Sequence, residues 1–556
     1  MYRISGDGYL LNILERIKNR DNIFRTFSKR EVIFLFMLIV STFLLYNKLN
    51  FTESRWTLHP DDHDVVVFDK VLLKTGKLWF QSPYNDIYNT NAFYPGIHDF
   101  KCDPSKGHKI KAAYSPGIYL LTAPGNLIGF RGPFVIVAMF GVIGLLFFYL
   151  MMRELFGTVA AMASSIFLGF STAYIFWSNM LFSNIPALTF FLIGLYFLVK
   201  LTKKPYLRRY YILPVFFMVF TLLIRGDFIY PIGISIILVV VRYYRELRWR
   251  HIFETIILFA GIGATVALVN FVTSGSVLNI NPKNFGFSSI FQFLIKYPLV
   301  GANITAMKKN VTMYIYQIAP ALTVLGILGF LYCLKSDIRR NIFLWIFCLV
   351  GIFATYYYGK NAYYWGYGSA WLASSYVRYF LLSFMSLSVF AGIFVEELLN
   401  RISFKKLAVG VCALVLLVYI VVSLNTVANA EFGLNWVESW NESAKKVNYY
   451  FESVPKNSVV VDYTKDGFYQ KMIISRTVFN PRILEKRDKI QRTVQILADL
   501  DRKGIPIYLI TNPERNISNV EALSKEANFF ELERVPYMIK FEVGGVDPII
   551  YKLLFK

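Results

Sequence analysis

The sequence predicts a mainly α-helical, polytopic membrane protein that carries a small α/β unit at its C-terminal end. Three observations predict it. Of 556 residues, 55% are hydrophobic and only 17% charged, and the mean hydropathy is +0.45; a soluble globular chain is less apolar than this. Apolar runs close to the roughly 20 residues that cross about 30 Å of hydrocarbon recur from residue 31 to residue 425. Beyond 426 those runs stop, and charged helical stretches alternate with short β-branched ones.

Taken in order, residues 1–30 are polar and carry seven basic residues, with no cleavable signal pattern, and form a basic N-terminal segment. Eleven spans follow at 31–48, 132–152, 158–177, 183–201, 211–225, 228–243, 254–273, 313–334, 341–358, 373–395 and 405–425. The fifth and sixth are short. Basic patches at "KKPYLRRYY", "RYYRELRWR", "KSDIRR" and "RISFKK" fall on the N-terminal side of the membrane if the spans alternate. The positive-inside rule makes that side cytoplasmic. Residues 49–131, 274–312, 359–372 and the segment 426–556 then face outward.

The formal charge of +23 is spread among these loops. Such a distribution suits an anionic membrane leaflet and excludes a nucleic-acid face. Cys102, Cys333, Cys348 and Cys412 lie too far apart for a zinc motif and form no disulfide framework. In 426–556, "SVVVDY", "IPIYLIT" and "PIIYKLLF" predict strands, and "KIQRTVQILADLDRKG" an amphipathic helix stopping at Gly504. The division is therefore 1–30, a membrane domain 31–425 with an outward loop 49–131, and an outward α/β domain 426–556.

Chemistry concentrates in that first loop. "HPDDHD", His59 to Asp64, packs three aspartates and two histidines into six residues after the first span. Downstream, Val65, Phe68, Leu72 and Trp79 share one face of a helix lying in the membrane interface, with Asp69, Lys70, Lys74 and Lys77 elsewhere. Asp61 and Asp62 at its start fit a helix cap. One cap needs one acid, however, and the excess points to a general base or a divalent-metal site.

The order "DD", "TGKLW", "YSPGIYLLTAPGNLIGF", "LMMRELFG", "FWSNMLFSNIPALTFFLIGLYF" and "LLIRGDFIYPI" over the first 245 residues resembles the polyprenyl-phosphate-sugar-dependent glycosyltransferases of GT-C type, in particular the lipid A aminoarabinose transferase and protein O-mannosyltransferase group. Asp61 and Asp62 match the family's acidic pair, Gly76 to Trp79 its "GdW"-like turn, Ser115-Pro116-Gly117 its proline segment, and Arg225 the lysine of "LTKG". The chain departs from the pattern at Tyr114, where the transferases have a lysine, and at Asn179 and Asn184, where many relatives carry Arg and Asp. "YYWGYGSAW" lacks the aspartate of the oligosaccharyltransferase "WWDYG".

The resemblance implies an enzyme that moves a sugar from a polyprenyl-phosphate donor to an acceptor hydroxyl on a lipid, glycan or protein at the outer face of a prokaryotic cell membrane, with inversion. Asp61 is then the general base with Asp62 second, and Arg225, Lys109, Lys111 and Arg378 are the donor-phosphate ligands. His63, Tyr114 and Trp365 complete the set as substrate contacts. A pairing of Arg225 with Asp227 and an interfacial belt of the tyrosines at 356–358 are the structural alternatives. A lipid-linked sugar transporter or a non-catalytic lipid-binding scaffold is the competing function. Neither needs acids in the first loop, and the repeated halves of many transporters are not visible.

Overall fold

A computed structural model of the chain describes residues 27–52, 55, 60–90, 92–94, 101–103, 109–112, 114–203, 209–243, 249–274, 304–336, 341–361, 372, 377–430, 432–462, 477–479, 489–511, 530–534 and 549–555. Its helices are α1 (Lys29–Tyr46), α2 (Pro60–Thr75), α3 (Pro83–Ile87), α4 (Pro116–Thr122), α5 (Gly132–Phe156), α6 (Thr158–Gly169), α7 (Thr172–Ser178), α8 (Asn184–Lys203) and α9 (Arg209–Ile224). They continue as α10 (Ile229–Tyr243), α11 (Trp249–Ser274), α12 (Ile304–Val311), α13 (Pro320–Ser336), α14 (Ile342–Asn361), α15 (Leu381–Arg401), α16 (Lys405–Asn429), α17 (Leu434–Ser453) and α18 (Lys489–Arg502).

The described residues of the eleven expected spans fall largely on helix, but not every span is a helix able to cross a membrane alone. Among the described residues six helices are long and apolar enough, or eight if two bent pairs each count once. The bends are 61° between α6 and α7 and 107° between Ile304–Tyr316 and α13. The second follows a π-helical stretch, Thr312–Tyr316, and ends at Pro320, which lacks the amide needed to continue a helix. α9 has only 16 residues and holds Pro214. α1 begins with Lys29, Arg30 and Glu31, so its apolar stretch is shorter than its helix.

α1 starts in a capping box: the Glu31 amide donates to Ser28 Oγ at 3.2 Å, and the Ser28 amide to Glu31 Oε2 at 2.8 Å. The same Glu31 is buried and accepts from Tyr149 Oη (3.0 Å) and Arg153 Nε (2.6 Å) of α5. The charge that caps one helix thus ties it to the next. α5 packs on α6 and α8, α8 on α9, and α15 on α6, α13 and α14, giving one continuous apolar core.

Two small sheets sit at the loop end of this bundle. In the first, β1 (Trp79–Gln81), β4 (Lys109–Lys111) and β3 (Lys101–Asp103) run antiparallel in that order. The second is mixed and six-stranded, ordered β2-β6-β5-β7-β9-β8, with β2 (Phe93–Tyr94), β5 (Val459–Asp462), β6 (Thr477–Phe479), β7 (Ile507–Thr511), β8 (Phe530–Arg534) and β9 (Ile549–Phe555). β5 is parallel to β6 and β7, and the remaining pairs are antiparallel.

Residues 426–556 therefore do not build their sheet alone, because β2 comes from the first loop. Phe93 on β2 stacks on Phe479 at 4.7 Å and on Tyr84 and Tyr88 at 5.2 and 5.6 Å. Tyr88 Oη donates to Asp499 of α18 at 2.7 Å, and Arg492 donates to the Asn89 carbonyl at 3.0 Å. A two-residue strand carries too few side chains for a period-2 pattern to register, so nothing in the sequence marks this pairing.

Candidate active site

The acidic stretch forms the first two turns of α2. Asp61 stands in the first turn, and its side chain lies outside the described residues. Asp62 and His63 are fully buried, and Asp64 nearly so. Asp64 accepts from Tyr119 Oη of α4. Burial and the neighbouring Asp64 charge push the Tyr119 hydroxyl well above the usual phenol range.

One turn on, Asp69 accepts from Thr122 Oγ1 at 3.1 Å and Asn126 Nδ2 at 3.4 Å. Burial pushes its carboxyl well above the usual carboxylate range. Beside the helix start, Arg55 is buried with its guanidinium 4.0 Å over the Phe134 ring and donates to the Asn179 carbonyl. Burial lowers it to about 10, against the opposing pull of the Asp62 carboxylate.

The expected helix is corrected in two respects. Its apolar face meets protein, α2 packing against α4 with Val65 and Phe68 buried and Phe68 6.1 Å from the Tyr119 ring. Asp69 belongs to its buried face, since it follows Val65 by one turn. The helix ends at Thr75 because Gly76 adopts φ +68°, a left-handed stop that favours glycine. Trp79 consequently sits on β1 and not on the helix.

A basic centre is built where α9 breaks. Arg225 leaves the helix in extended backbone (φ −149°, ψ 114°). Its fork closes on Asp227 two residues later, Nε to Oδ1 at 3.0 Å and Nη2 to Oδ2 at 2.5 Å. Nη1 donates to Asn184 Oδ1 at 2.9 Å, and Tyr358 Oη donates to Asp227 at 2.7 Å. Arg378 is buried in the turn Val377–Phe380, its guanidinium 4.1 Å over Phe182, and its carbonyl accepts from Asn184 at 3.3 Å. Both guanidiniums stand 5.2 Å from the Tyr379 ring, so one tyrosine lies between two arginines that are 153 residues apart in sequence.

Two connectors run between the acidic helix and the basic centre. At Gly117 a Cβ would stand 2.7 Å from the Leu223 carbonyl carbon, so the proline segment packs backbone on backbone against the residues just before Arg225. The turn 179–184 is the second connector: Asn179 holds Arg55 at one end, and Asn184 holds Arg225 and Arg378 at the other.

Of the residues proposed from sequence, Arg225 and Arg378 are brought together. Arg225 also makes the structural pairing with Asp227 that was its alternative. Lys109 and Lys111 lie on β4, where Lys109 Nζ is 4.2 Å over Trp79 and Lys111 pairs in register with Trp79. The Tyr114 amide donates to Tyr119 Oη at 3.2 Å, which places it beside Asp64. His63 is buried in α2. Trp365 lies outside the described residues. Sequence reasoning missed Arg55, the Asp64–Tyr119 pair and the role of Tyr358. The signal available for Tyr358 was its place in "TYYYGK", at the end of the ninth expected span. Among the described residues no group of three or more His, Cys, Asp or Glu side chains is arranged to hold a metal.

This helical membrane bundle, with an acidic first loop docked against an arginine centre, has the GT-C glycosyltransferase fold. A family model for dolichyl-phosphate-mannose-protein mannosyltransferases matches residues 118–275. Among solved structures, ArnT from Cupriavidus metallidurans bound to undecaprenyl phosphate aligns with a TM-score of 0.56 at 12% identity, over 95% of this chain and 98% of that one. The Archaeoglobus fulgidus oligosaccharyltransferase in its apo form aligns with 0.53 at 12% identity, over 93% of this chain and 76% of its own. Mycobacterial arabinofuranosyltransferase AftD gives 0.50 at 14% identity, over 95% and 42%. No curated protein sequence matches the chain.

Proposed function

We propose that the chain is a multi-pass membrane glycosyltransferase that takes its sugar from a polyprenyl phosphate and passes it, with inversion, to an acceptor hydroxyl at the outer face. The observation that carries this reading is the convergence of Arg225 and Arg378 on Tyr379, with the backbone just before Arg225 packed on Gly117 of the first loop. A polyprenyl phosphate leaves as a phosphate monoester, and cations rather than a proton donor stabilise that departure. Arg225 has its Nε and Nη2 edges occupied by Asp227 and is thereby fixed in direction.

An apolar groove of 430 Å³ supports a lipid-linked donor. Val311, Ile315, Phe330, Phe347, Tyr356 and Phe390 line it, and Thr355 and Ser383, 2.9 Å apart, stand at its wall. Thr355 is one turn from Tyr358 and Ser383 one turn from Tyr379, so a chain lying in the groove brings its head to the arginine pair. ArnT, solved with undecaprenyl phosphate, lends weight to the same donor class.

In the step itself, the Asp61 carboxylate takes the acceptor hydroxyl proton as the acceptor oxygen attacks the anomeric carbon. The bond from that carbon to the phosphate oxygen breaks, and its electron pair leaves on the phosphate facing Arg225 and Arg378. Asp62 and Asp64, buried behind Asp61 and held beside Arg55 and Tyr119, position the helix start. The acceptor is a lipid, a glycan or a protein. Asp61→Asn in membranes supplied with polyprenyl-phosphate sugar should lose transfer by about 100-fold or more while donor binding persists. Undiminished transfer rejects Asp61 as base, and loss of donor binding together with transfer assigns it a structural role.

A further inference from the structure

α8, α14 and α15 run from the arginine centre to the opposite end of the bundle, about 30 Å away for helices of some twenty residues. Asn184 begins α8 on Arg225, and Lys203 ends it. There the ends of the helices enclose a second cavity, of 450 Å³, with Glu154, Lys203, Tyr243, Tyr332 and Asn341 in its wall. Glu154 is bridged by Lys200 at 2.5 Å and Lys203 at 3.0 Å, which leaves one positive charge in excess.

Two wall tyrosines carry arginines over their rings, Arg242 on Tyr243 at 5.5 Å and Arg401 on Tyr332 at 5.2 Å. Arg401 is paired with Glu397 at 2.5 Å, and Arg242 is exposed. Wall residues also border three linkers in sequence, 204–208, 244–248 and 337–340. Each linker is net basic: Lys204 and Arg208; Arg245 and Arg248 against Glu246; Arg339 and Arg340 against Asp337.

We propose that this cavity binds the headgroup of an anionic glycerophospholipid. Lys203 and Arg242 at its rim take the phosphate, while the Tyr243 hydroxyl and the Asn341 amide offer hydrogen bonds to a polyol. A zwitterionic headgroup would bring its own ammonium against Lys203 and Arg242, and is disfavoured for that reason. At about 30 Å from Arg225, the lipid does not compete with a donor phosphate, and the proposal stands whether or not the chain transfers sugar.

The test is native mass spectrometry of the full chain in neutral detergent with equimolar phosphatidylglycerol and phosphatidylcholine. Phosphatidylglycerol should be retained about tenfold over phosphatidylcholine, the preference expected for two cations facing one phosphate. Lys203→Gln and Arg242→Gln should each cut that preference severalfold and together abolish it, while Lys77→Gln at the other end leaves it intact. Equal retention by the unaltered chain, or a preference that survives the double variant, overturns the proposal. So does displacement of phosphatidylglycerol by equimolar inorganic phosphate, which would mark a free-anion site. Arg242→Gln touches only an exposed arginine and remains informative if the Lys203 variant disturbs the Glu154 bridge.

Discussion

The two ends of the bundle both carry ion pairs, and they use them in opposite ways. At the end holding the N-terminus of α1, Glu31 reaches Arg153 across 122 residues and Glu154 reaches Lys200 and Lys203 across 46 and 49. Glu31 and Glu154 each join two helices, so each acts as a staple. At the other end, Asp227 pairs with a residue only two positions away. A pair so local fastens no helix to another. Its effect is to aim: Asp227 takes one side of the guanidinium and Asn184 meets Nη1, while Tyr358 holds Asp227 in turn. Charge is arranged for cohesion at one end and for presentation at the other.

The comparison breaks most decisively at Arg225. Arg225→Lys keeps a cation beside Asp227 but removes the planar fork. Sugar transfer should fall about 100-fold, while the thermal midpoint of the detergent-solubilised protein barely moves. Parallel loss of activity and midpoint would make Arg225 a staple like the rest. Glu31→Gln tests the other end. It removes a buried charge opposite Arg153, and should cost about 3 kcal/mol of stability, seen as a lower thermal midpoint, with transfer per folded molecule unchanged. An unaltered midpoint would deny the staple role.

What the sequence made legible follows from the range of the signals involved. Spans are local and periodic, so the long helices of the bundle were readable from their apolar runs, while α12 fell in a stretch expected as loop. The breaks within α6–α7 and between α12 and α13 were not, because a run of apolar residues is equally apolar through a bend. Arg225 and Arg378 were each visible as a cation at a span end. Their convergence on Tyr379 depends on how α9 and α15 pack, which no local pattern encodes. Asp69 was misread for a different reason: an acid among Val65, Phe68 and Leu72 looks like an exposed residue until Thr122 and Asn126 of a distant segment supply its partners. The strand Phe93–Tyr94 is invisible on the same ground, since its partner lies nearly 400 residues on.

Asp69 also provides the subtlest test of charge used for cohesion against charge used for presentation, because it belongs to neither class. Burial raises its carboxyl above the value it has in the unfolded chain. The folded state therefore holds a proton that the unfolded state has released, and stability declines as pH rises from about 4 toward the folded value, by at most about 1.4 kcal/mol per pH unit. Asp69→Asn is neutral at every pH and nearly the same shape, so it escapes that decline. Its thermal midpoint relative to the unaltered protein should climb between pH 5 and pH 7, by a few degrees at most. A difference that stays constant with pH would show that Asp69 is ionised in the folded protein. The buried face of α2 would then carry a charge held by Thr122 and Asn126, and Asp69 would belong with the charges used for cohesion.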